Sequence, residues 1–393
     1  MYGLAENIAA CSGISLGIAT VYSGRTLRKV SSATCEYFLI PASKTGKYPR
    51  QYERHWRQIC SDWRPDLVHV HGTEYPYGLS CMRAQPSIPY IVSLQGLTGV
   101  CARYHFGGIS GWTIARHLTL RDIIRRDSVF HAKRNREKNG VFEEECIQKA
   151  KVVIGRTNWD RIHANSISPD VDYRTCGECL RDGFYSSEKW DIRAKDDHCI
   201  FMSQAHTPLK GLHQVLRALA LLKREFPNCR LRIAGNNIIA ASSLGERLRR
   251  TGFGSYVASL IRQLGLENRV EFTGRLTEEE MLHEYKQAHV YVCPSAIENS
   301  PNSLAEAQIL GVPVIAARSG GIPDMVENNS TGIMYRFEEY EELAYHIRRV
   351  FRNDRLSLLL SKNAILAAEA RHDQASLLSE TRKIYQDVYS ANT

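Results

Sequence analysis

The sequence predicts an α/β protein with two domains, each built on a parallel sheet. Three observations predict this architecture. Short apolar runs alternate with longer amphipathic segments along the chain. Its 393 residues exceed what one ordinary core holds and suit two domains. A polar, aperiodic segment, YSSEKWDIRAKDDH (residues 185–198), separates two series of such runs and is interpreted as the interdomain linker.

The composition is that of a globular protein, since 43% of the residues are hydrophobic and 24% are charged. No apolar run is long enough to span a bilayer. The first residues, MYGLAENIAACSG, carry no positive segment ahead of an apolar block, so we expect no secretory signal. The eleven cysteines are therefore expected to be reduced thiols in the cytoplasm. The C-x-x-C pair Cys176 and Cys179 is interpreted as structural or incidental, and no metal is expected.

Each apolar run is expected to be a strand. The first series comprises ISLGIATVY, EYFLIP, LVHVHG, PYIVSLQG and KVVIGRT, and the second comprises HCIFMSQ, RLRIAGN, VEFTG, VYVCPS, VPVIAAR and TGIMY. Amphipathic helices such as Leu209–Phe226 lie between strands of the second series. Ligands of such sheets bind at the carboxyl ends of the strands. No Gly-x-Gly-x-x-Gly follows an early strand and no P-loop motif occurs, so neither a dinucleotide site nor a P-loop is predicted.

The stretch ENSPNSLAEAQILG predicts a helix with an open amino end. Ser300 is expected to cap the helix, with Pro301 in its first position and Gly311 at its end. The amides near Asn302 and Ser303 then form an anion site that the helix dipole supports. A diphosphate fits that site.

Two carboxylates flank this helix start, Glu298 before it and Glu306 inside it. Carboxylates accept hydrogen bonds only, which suits the hydroxyl groups of a nucleotide sugar on either side of its phosphates. In that interpretation Glu306 binds a ribose diol and Glu298 binds sugar hydroxyls. The alternative, which stays open on spacing alone, is that Glu306 complements the helix dipole and Glu298 is an ordinary loop residue.

The run VYVCPSAIENSPNSLAEAQILGVPVIAARSGGIPDMVENNSTGIM resembles the signature region of glycosyltransferase family 4. That family is a group of retaining GT-B enzymes with the pattern P-S-x-x-E-x7-E-A-x-x-x-G-x-P-V-I-A, then G-G-I-P-E and T-G. Lys210-Gly211 matches the lysine-glycine pair that holds the diphosphate in the family, and Arg275 follows a loop that lies near the base. The resemblance extends over residues 14–389 and is strongest in the second half.

The resemblance implies a GT-B fold, in which two Rossmann-like doubly wound domains face a cleft and a terminal helix crosses back to the first domain. The implied ranges are 1–190 for the acceptor-side domain, 191–371 for the nucleotide-sugar domain and 372–393 for the returning helix. The implied donor-binding residues are Gln204, Lys210, Arg275, Glu298, Asn302, Ser303 and Glu306. The implied acceptor-side residues are Glu74, Gln95 and Arg156. The implied catalytic residues are Glu298, Lys210, Gln95 and Glu74.

By this resemblance the chain is expected to move a hexosyl unit, with retention, from a UDP- or GDP-sugar to a saccharide or lipid-linked saccharide. Neither a cofactor nor a metal is expected. Surface polysaccharide biosynthesis in the cytoplasm, at the inner face of the membrane, is the expected setting. Two alternatives stay open, namely a catalytically impaired sugar-nucleotide-binding remnant or partner subunit, and a GT-B phosphorylase or epimerase.

Three departures from the family pattern bear on activity. Relatives carry an arginine where this chain has Ala205, so Gln204, His206 or Arg275 is expected to compensate in part. Many relatives place a histidine where this chain has Gln95, which cannot exchange a proton. The chain begins within what should be the first helix, so a gap is expected where the family has its first strand. Glu74 is the nearby carboxylate, although it and His71 are also compatible with loop residues packed at a strand end.

The net charge of +9 is concentrated in Arg116–Lys138, RHLTLRDIIRRDSVFHAKRNREK. Its apolar spacing is compatible with one amphipathic helix. Two interpretations stay open: a solvated helical face with arginine stems on the core, or a surface that docks on an anionic membrane or a phosphorylated acceptor. No aromatic-basic module accompanies the run, so no nucleic acid partner is expected.

Overall fold

The computed structural model describes residues 2–11, 13–42, 50–240 and 243–392. Contacts divide the chain into two compact units. Unit 1 comprises residues 1–99, 138–179 and 372–393, and unit 2 comprises residues 100–137 and 180–371. The sequence-derived boundaries at residues 190 and 371 stay a prediction.

The described residues form thirteen strands: β1 (Leu16–Tyr22), β2 (Arg28–Ser31), β3 (Cys35–Pro41), β4 (Val68–His71), β5 (Tyr90–Ser93), β6 (Val152–Gly155), β7 (Asp172–Thr175), β8 (Cys199–Met202), β9 (Arg230–Ala234), β10 (Val270–Gly274), β11 (Val290–Cys293), β12 (Val314–Ala317) and β13 (Ile333–Tyr335). The eleven apolar runs interpreted as strands are all among them. The two strands that the sequence analysis missed are β2 and β7.

The described residues also form eighteen α-helices: α1 (Tyr2–Ala9), α2 (Arg50–Trp63), α3 (Tyr77–Ala84), α4 (Thr98–Arg103), α5 (Gly111–Arg116), α6 (Leu120–Arg125), α7 (Val129–Lys149), α8 (Asn158–Ile167), α9 (Asp182–Ser186), α10 (Leu212–Leu222), α11 (Leu244–Arg249), α12 (Gly252–Leu264), α13 (Glu278–Gln287), α14 (Asn302–Leu310), α15 (Ile322–Met325), α16 (Tyr340–Arg352), α17 (Asp354–Arg371) and α18 (Gln374–Ser390). A 3₁₀ turn, Pro208–Lys210, precedes α10. Among the described helices, none combines the length and the apolar character that crossing a bilayer requires.

Unit 1 contains two sheets within the described residues. One has the order β1-β3-β2, and the other has the parallel order β4-β5-β6-β7. The apolar strands β5 and β6 are almost fully buried, as inner parallel strands are. Strands β1 and β4 lie at the edges of these two sheets, and they do not pair with each other in the part of the chain that the structure describes.

Unit 2 contains one six-stranded parallel sheet with the order β10-β9-β8-β11-β12-β13. Three of the four inner strands, β8, β11 and β12, are buried along their whole length. Helix α10 and helix α16 pack together over one part of the core, and α14 packs on α17. A doubly wound arrangement of this kind leaves the carboxyl ends of the strands open for a ligand.

The terminal helix α18 packs within unit 1, as the GT-B fold predicts. Ile384 and Val388 on α18 join the buried cluster that includes Ile91 of β5 and Val152 of β6. The Tyr385 hydroxyl is also 2.7 Å from a ring nitrogen of His69. The chain therefore returns at its end to the unit in which it began.

The basic run Arg116–Lys138 is not one amphipathic helix, which corrects the expectation from its spacing. Helix α6 begins after Thr119, whose side chain and backbone form a capping box with Asp122. It ends at Arg126, whose left-handed backbone (φ 52°) interrupts the run before α7. Local capping therefore overrides the apolar periodicity.

Candidate active site

Lys210 lies in a tight turn between β8 and α10 that packs against the loop after β11. The next residue, Gly211, has a left-handed backbone (φ 72°). A methyl group on Gly211 would lie 1.8 Å from the Pro294 carbonyl oxygen, so only glycine fits there. The Ala296 amide also donates to the Leu209 carbonyl at 2.8 Å. The two loops are therefore held together by backbone contacts.

This packing brings together Lys210 and Glu298, which the sequence analysis assigned to one site. Lys210 Nζ lies 2.5 Å from Glu298 Oε1, and both side chains are mostly buried. Burial acts to lower the pKa of Lys210, but the Glu298 carboxylate outweighs it and raises that pKa above its usual value. The Glu298 carbonyl accepts from the Gly321 amide at 2.9 Å, which links this loop to the glycine pair after β12.

Helix α14 begins one residue later than predicted. Pro301, not Ser300, is the capping residue, and no side chain caps the helix. The reason is the extended backbone of Pro301 (ψ 120°), whose carbonyl accepts from the Leu304 amide at 3.0 Å. The amides of Asn302 and Ser303 lie in the first turn, where the helix itself offers no acceptor. The predicted end at Gly311 is confirmed.

Glu306 lies inside α14 and is almost fully buried. Arg181, which immediately precedes α9, donates to Glu306 Oε1 at 2.9 and 3.0 Å, and the Tyr285 hydroxyl donates to Oε2 at 3.3 Å. Burial raises the pKa of Glu306 and the guanidinium opposes that shift. Arg181 also lies 4.5 Å from the ring centre of Phe184. Arg181 was not predicted from the sequence, because nothing in its local pattern indicates a partner 125 positions away.

The remaining donor-side predictions, Gln204 and Arg275, are exposed residues on loops that follow β8 and β10. They share the carboxyl edge of the unit 2 sheet with Lys210 and Glu298. Ala205, at the position where the family pattern predicts an arginine, is buried in the core. We call Lys210, Glu298, Asn302, Ser303 and Glu306 the donor-side cluster.

In unit 1, four polar residues follow four neighbouring strands. Glu74 follows β4, Gln95 follows β5, Arg156 follows β6 and Glu178 follows β7. The carboxyl ends of parallel strands meet at one edge of a sheet, so these residues share an edge. We call them the acceptor-side cluster. Glu178 was not predicted, because β7 itself was missed.

Arg156 is the centre of a buried network in this cluster. Its guanidinium lies 3.1 Å from Glu178 Oε2 and donates at 3.0 Å both to Gln95 Oε1 and to the Leu94 carbonyl. The Gln95 amide in turn donates to Glu178. The guanidinium and carboxylate therefore neutralise each other, while Gln95 is fixed in one orientation by both.

Glu74 lies beside Gln95, since a methyl group on Gly72 would be 2.5 Å from Glu74 Oε2 and 3.2 Å from Gln95 Cγ. The Glu74 carbonyl accepts from the Asn139 side chain at 2.9 Å. Two of the predicted acceptor-side residues, Glu74 and Gln95, are thus neighbours, and Arg156 joins them through Gln95.

A buried carboxylate, Glu143 on α7, joins the loops that carry Glu74 and Gln95. It accepts from the Thr73 hydroxyl at 2.7 Å and from the amides of Thr98 and Gly99 at 2.9 and 3.1 Å. Burial raises the pKa of Glu143 to about 7, although these three donors oppose the shift. Glu143 was not predicted from the sequence, where it is the first of three consecutive glutamates and has no distinguishing neighbour.

The C-x-x-C pair surrounds Glu178. Cys176 and Cys179 form no disulfide, and both are buried in the cluster that receives α18. Burial raises the pKa of Cys176, which disfavours the reactive thiolate. The two side chains pack against Leu377 and Ile384, as the structural interpretation expected.

Two family models match the chain. Residues 3–154 match the model described as "Glycosyl transferase 4-like domain", and residues 186–367 match the model described as "Glycosyl transferases group 1". The second match contains the whole donor-side cluster, and the first contains Glu74 and Gln95.

Curated relatives match over part of their length. Over 179 residues the chain is 28% identical to the D-inositol 3-phosphate glycosyltransferase of Corynebacterium kroppenstedtii. The matched region covers 46% of this chain and 38% of that protein. Over 123 residues it is 30% identical to the sulfoquinovosyl transferase SQD2 of Arabidopsis thaliana, covering 30% of this chain and 23% of that protein. The chain therefore spans less than half of each of these relatives.

Solved structures resemble the chain over nearly its whole length. Sucrose-phosphate synthase from Thermosynechococcus elongatus superposes with a TM-score of 0.76 at 18% identity, covering 99% of this chain and 92% of that one. HepE from Anabaena, in complex with UDP and glucose, has a TM-score of 0.64 at 18% identity and covers 90% of this chain and 86% of that one. These similarities show the fold.

Proposed function

We propose that this chain transfers a hexosyl unit from a nucleoside diphosphate sugar to a saccharide or lipid-linked saccharide. The two glycosyl transferase family models together match residues 3–154 and 186–367, which confirms the family resemblance inferred from the sequence. The observation that carries the proposal is the Lys210–Glu298 pair beside the open amino end of α14. It combines a cation, free helix amides and a carboxylate, which are the groups that phosphates and sugar hydroxyls need.

In the proposed donor complex, the diphosphate binds Lys210 and the first-turn amides of α14. Glu306 accepts hydrogen bonds from the ribose diol, and Glu298 accepts them from the transferred sugar. UDP with glucose in HepE, and UDP with GlcNAc in the pneumococcal transferase GtfA, support a nucleotide sugar as the donor class. UDP-sugars are therefore the first to test, followed by GDP-sugars.

The proposed chemistry retains the anomeric configuration. The bond from the anomeric carbon to the diphosphate oxygen breaks while the acceptor oxygen bonds to the same face, and the departing phosphate takes the acceptor proton. Gln95 orients the acceptor hydroxyl but exchanges no proton. Lys210 and the helix amides stabilise the charge that develops on the diphosphate, so the proposal needs no metal ion.

The acceptor-side cluster is proposed to bind the acceptor. Arg156, Gln95 and Glu178 offer both donors and acceptors in a fixed arrangement, which suits a polyhydroxyl group. Glu74 lies next to Gln95 and is proposed to accept from a further hydroxyl. Assembly of a surface polysaccharide in the cytoplasm, on a lipid-linked acceptor, is part of the same proposal.

A second candidate is a sugar-nucleotide-binding protein without turnover. One observation favours it: Ala205 is buried where relatives have an arginine, so the donor-side cluster has one cation fewer. Binding would then persist while transfer is lost.

The test has two steps. A thermal-shift screen with nucleoside diphosphates and nucleotide sugars should raise the melting temperature for one base, because a ligand of the folded state stabilises it. The best donor is then incubated with a panel of saccharide and lipid-linked acceptors, and released nucleoside diphosphate is measured. Release that depends on an acceptor supports the transferase, whereas binding without release supports the second candidate. If no nucleotide stabilises the protein, both are contradicted.

A further inference from the structure

Helix α6 has its polar and apolar faces inverted. Its acidic residue Asp122 is only 1% exposed, whereas Leu120, Ile123 and Ile124 are 75%, 59% and 80% exposed. A surface helix of a globular protein normally turns its apolar stripe toward the core and its charges toward water. The exposed side of α6 is therefore an apolar patch that the fold of this unit does not cover.

Polar contacts fix this orientation. Asp122 accepts from the Gly252 amide at 2.7 Å and from Arg121 at 3.2 Å, in addition to its capping box with Thr119. The Thr119 hydroxyl donates to the Arg250 carbonyl at 3.3 Å. Because a buried carboxylate needs such partners, rotating α6 to bury its leucine and isoleucines would leave Asp122 without them. The exposure is thus built into the packing of unit 2.

Exposed apolar side chains also occur on α5, which precedes α6 in the chain, and on α11. Trp112 on α5 is 70% exposed, and Leu248 on α11, a helix that contacts α6, is 73% exposed. We call these two residues together with Leu120, Ile123 and Ile124 the apolar face. Exposed apolar side chains gathered in this way, from separate parts of the sequence, mark an interaction surface.

The charge around the apolar face is mainly positive. Exposed arginines border it, namely Arg116, Arg125, Arg126 and Arg249. Arg116 lies 5.4 Å from the ring centre of Trp112. Two acidic residues of this region are engaged: Asp127 accepts two hydrogen bonds from Arg121, and Glu246 on α11 accepts from the Ser243 amide at 3.3 Å. The surface therefore combines apolar side chains, a tryptophan and exposed arginines.

We infer that the apolar face docks this protein on a bilayer with anionic headgroups. Leucine, isoleucine and tryptophan side chains enter the headgroup–acyl boundary, while the bordering arginines remain at the level of the lipid phosphates. A second copy of the chain is a poorer partner, because two cationic borders would face each other. The inference goes beyond the proposed transfer reaction, since docking requires neither donor nor acceptor.

The test is flotation of the full chain with vesicles of phosphatidylcholine alone and of phosphatidylcholine mixed equally with phosphatidylglycerol. The wild-type protein should float with the anionic vesicles and should be released by high salt, which screens the arginines. The double variant Leu120→Ser/Ile124→Ser should lose about tenfold or more of this binding, because both side chains enter the bilayer. The matched control is Leu358→Ser/Leu359→Ser, two half-exposed leucines on α17, which should float as the wild type does.

Melting temperatures of both double variants are measured first, and they should match the wild type because the replaced side chains are exposed. Failure of the wild type to float, or equal loss in the control variant, would overturn the inference. Analytical sedimentation tests the alternative partner. If the wild type dimerises as its concentration rises and Leu120→Ser/Ile124→Ser does not, the apolar face binds a second copy, and the inference is overturned. No nucleotide is present in any arm, so these results are independent of the proposed transfer.

Discussion

The donor-side cluster and the acceptor-side cluster lie at comparable edges of two parallel sheets, yet they are assembled differently. In unit 2 most of the cluster comes from one contiguous stretch, Glu298–Glu306, to which backbone contacts add Lys210. In unit 1 the central contacts join Arg156 to Gln95, 61 positions away, and Gln95 to Glu178, 83 positions away. Most residues of the donor-side cluster are therefore close together in the sequence, whereas those of the acceptor-side cluster come together only when the sheet forms.

The largest expected effect is on donor binding. Glu306→Ala should weaken binding of the nucleotide sugar by about a hundredfold or more, because it removes the acceptor for two ribose hydroxyls. Isothermal titration calorimetry measures this change. Glu279→Ala, an exposed glutamate on α13, is the matched control and should bind as the wild type does. Unchanged affinity in Glu306→Ala would remove this residue from the donor-side cluster.

The next prediction concerns the pH dependence of stability in unit 1. The pKa of Glu143 is raised to about 7, against about 4.3 for an unfolded glutamate. The folded state therefore holds this proton more tightly, and the resulting stabilisation is complete below about pH 4.3 and lost as the pH rises through about 7. Relative to Glu143→Gln, the wild type should lose on the order of 3 kcal/mol of unfolding free energy across that window.

Denaturant unfolding at a series of pH values checks the Glu143 prediction. Glu144→Gln changes an exposed glutamate on the same helix and should keep the wild-type pH dependence. If the unfolding free energies of wild type and Glu143→Gln change with pH in the same way, the carboxylate joining the Glu74 and Gln95 loops does not titrate in this range.

Breaking the network around Arg156 should lower the unfolding free energy by a somewhat smaller amount. Glu178→Gln leaves the buried guanidinium without its counter-charge and should cost about 2 kcal/mol or more of stability. Donor binding, which belongs to unit 2, should be unchanged, while acceptor-dependent turnover falls. Adding Arg156→Met to this variant should cost less than the sum of the two single changes, because no buried charge then stays unpaired. Additive losses would contradict the network.

The same contrast explains which parts of the fold and the site could be predicted. Buried strands such as β8 and β11 are continuous apolar runs, so they were found. Strand β2, RKVS, is exposed throughout and β7, DYRT, is half exposed, so neither gives an apolar signal. Local capping also misled the prediction at α6, where Thr119 and Asp122 set the helix boundary and its orientation.

In the site, Lys210 and Glu298 were predicted together because each stands in a recognisable motif. Arg181, Glu143 and Glu178 could not be, because their partners lie 22 or more positions away in the chain. A carboxylate or guanidinium in an unremarkable stretch carries no sign of the partner that folding brings to it. Long-range polar pairs are therefore what a single sequence hides.

The smallest expected effect tests the cation shortage of the donor-side cluster. Gln204→Arg places a charge on the exposed loop next to the buried Ala205 and should tighten donor binding by about fivefold or less, since exposed charges are well screened. Gln204→Ala should leave the affinity near that of the wild type. Calorimetry at low and high salt distinguishes the two variants, because only the affinity gained by Gln204→Arg should decrease as the salt concentration rises. A loss of affinity in Gln204→Arg would mean that this loop does not face the diphosphate.

The most direct measurement is calorimetric titration of the best nucleoside diphosphate from the thermal-shift screen into wild-type protein and Lys210→Ala. In the proposed complex the Lys210 ammonium leaves Glu298 and binds the diphosphate at the amino end of α14. We expect saturable binding by the wild type and affinity weaker by about tenfold or more in Lys210→Ala, with a reduced dependence on salt. Equal affinity in the two proteins would contradict the proposed binding of the diphosphate by Lys210.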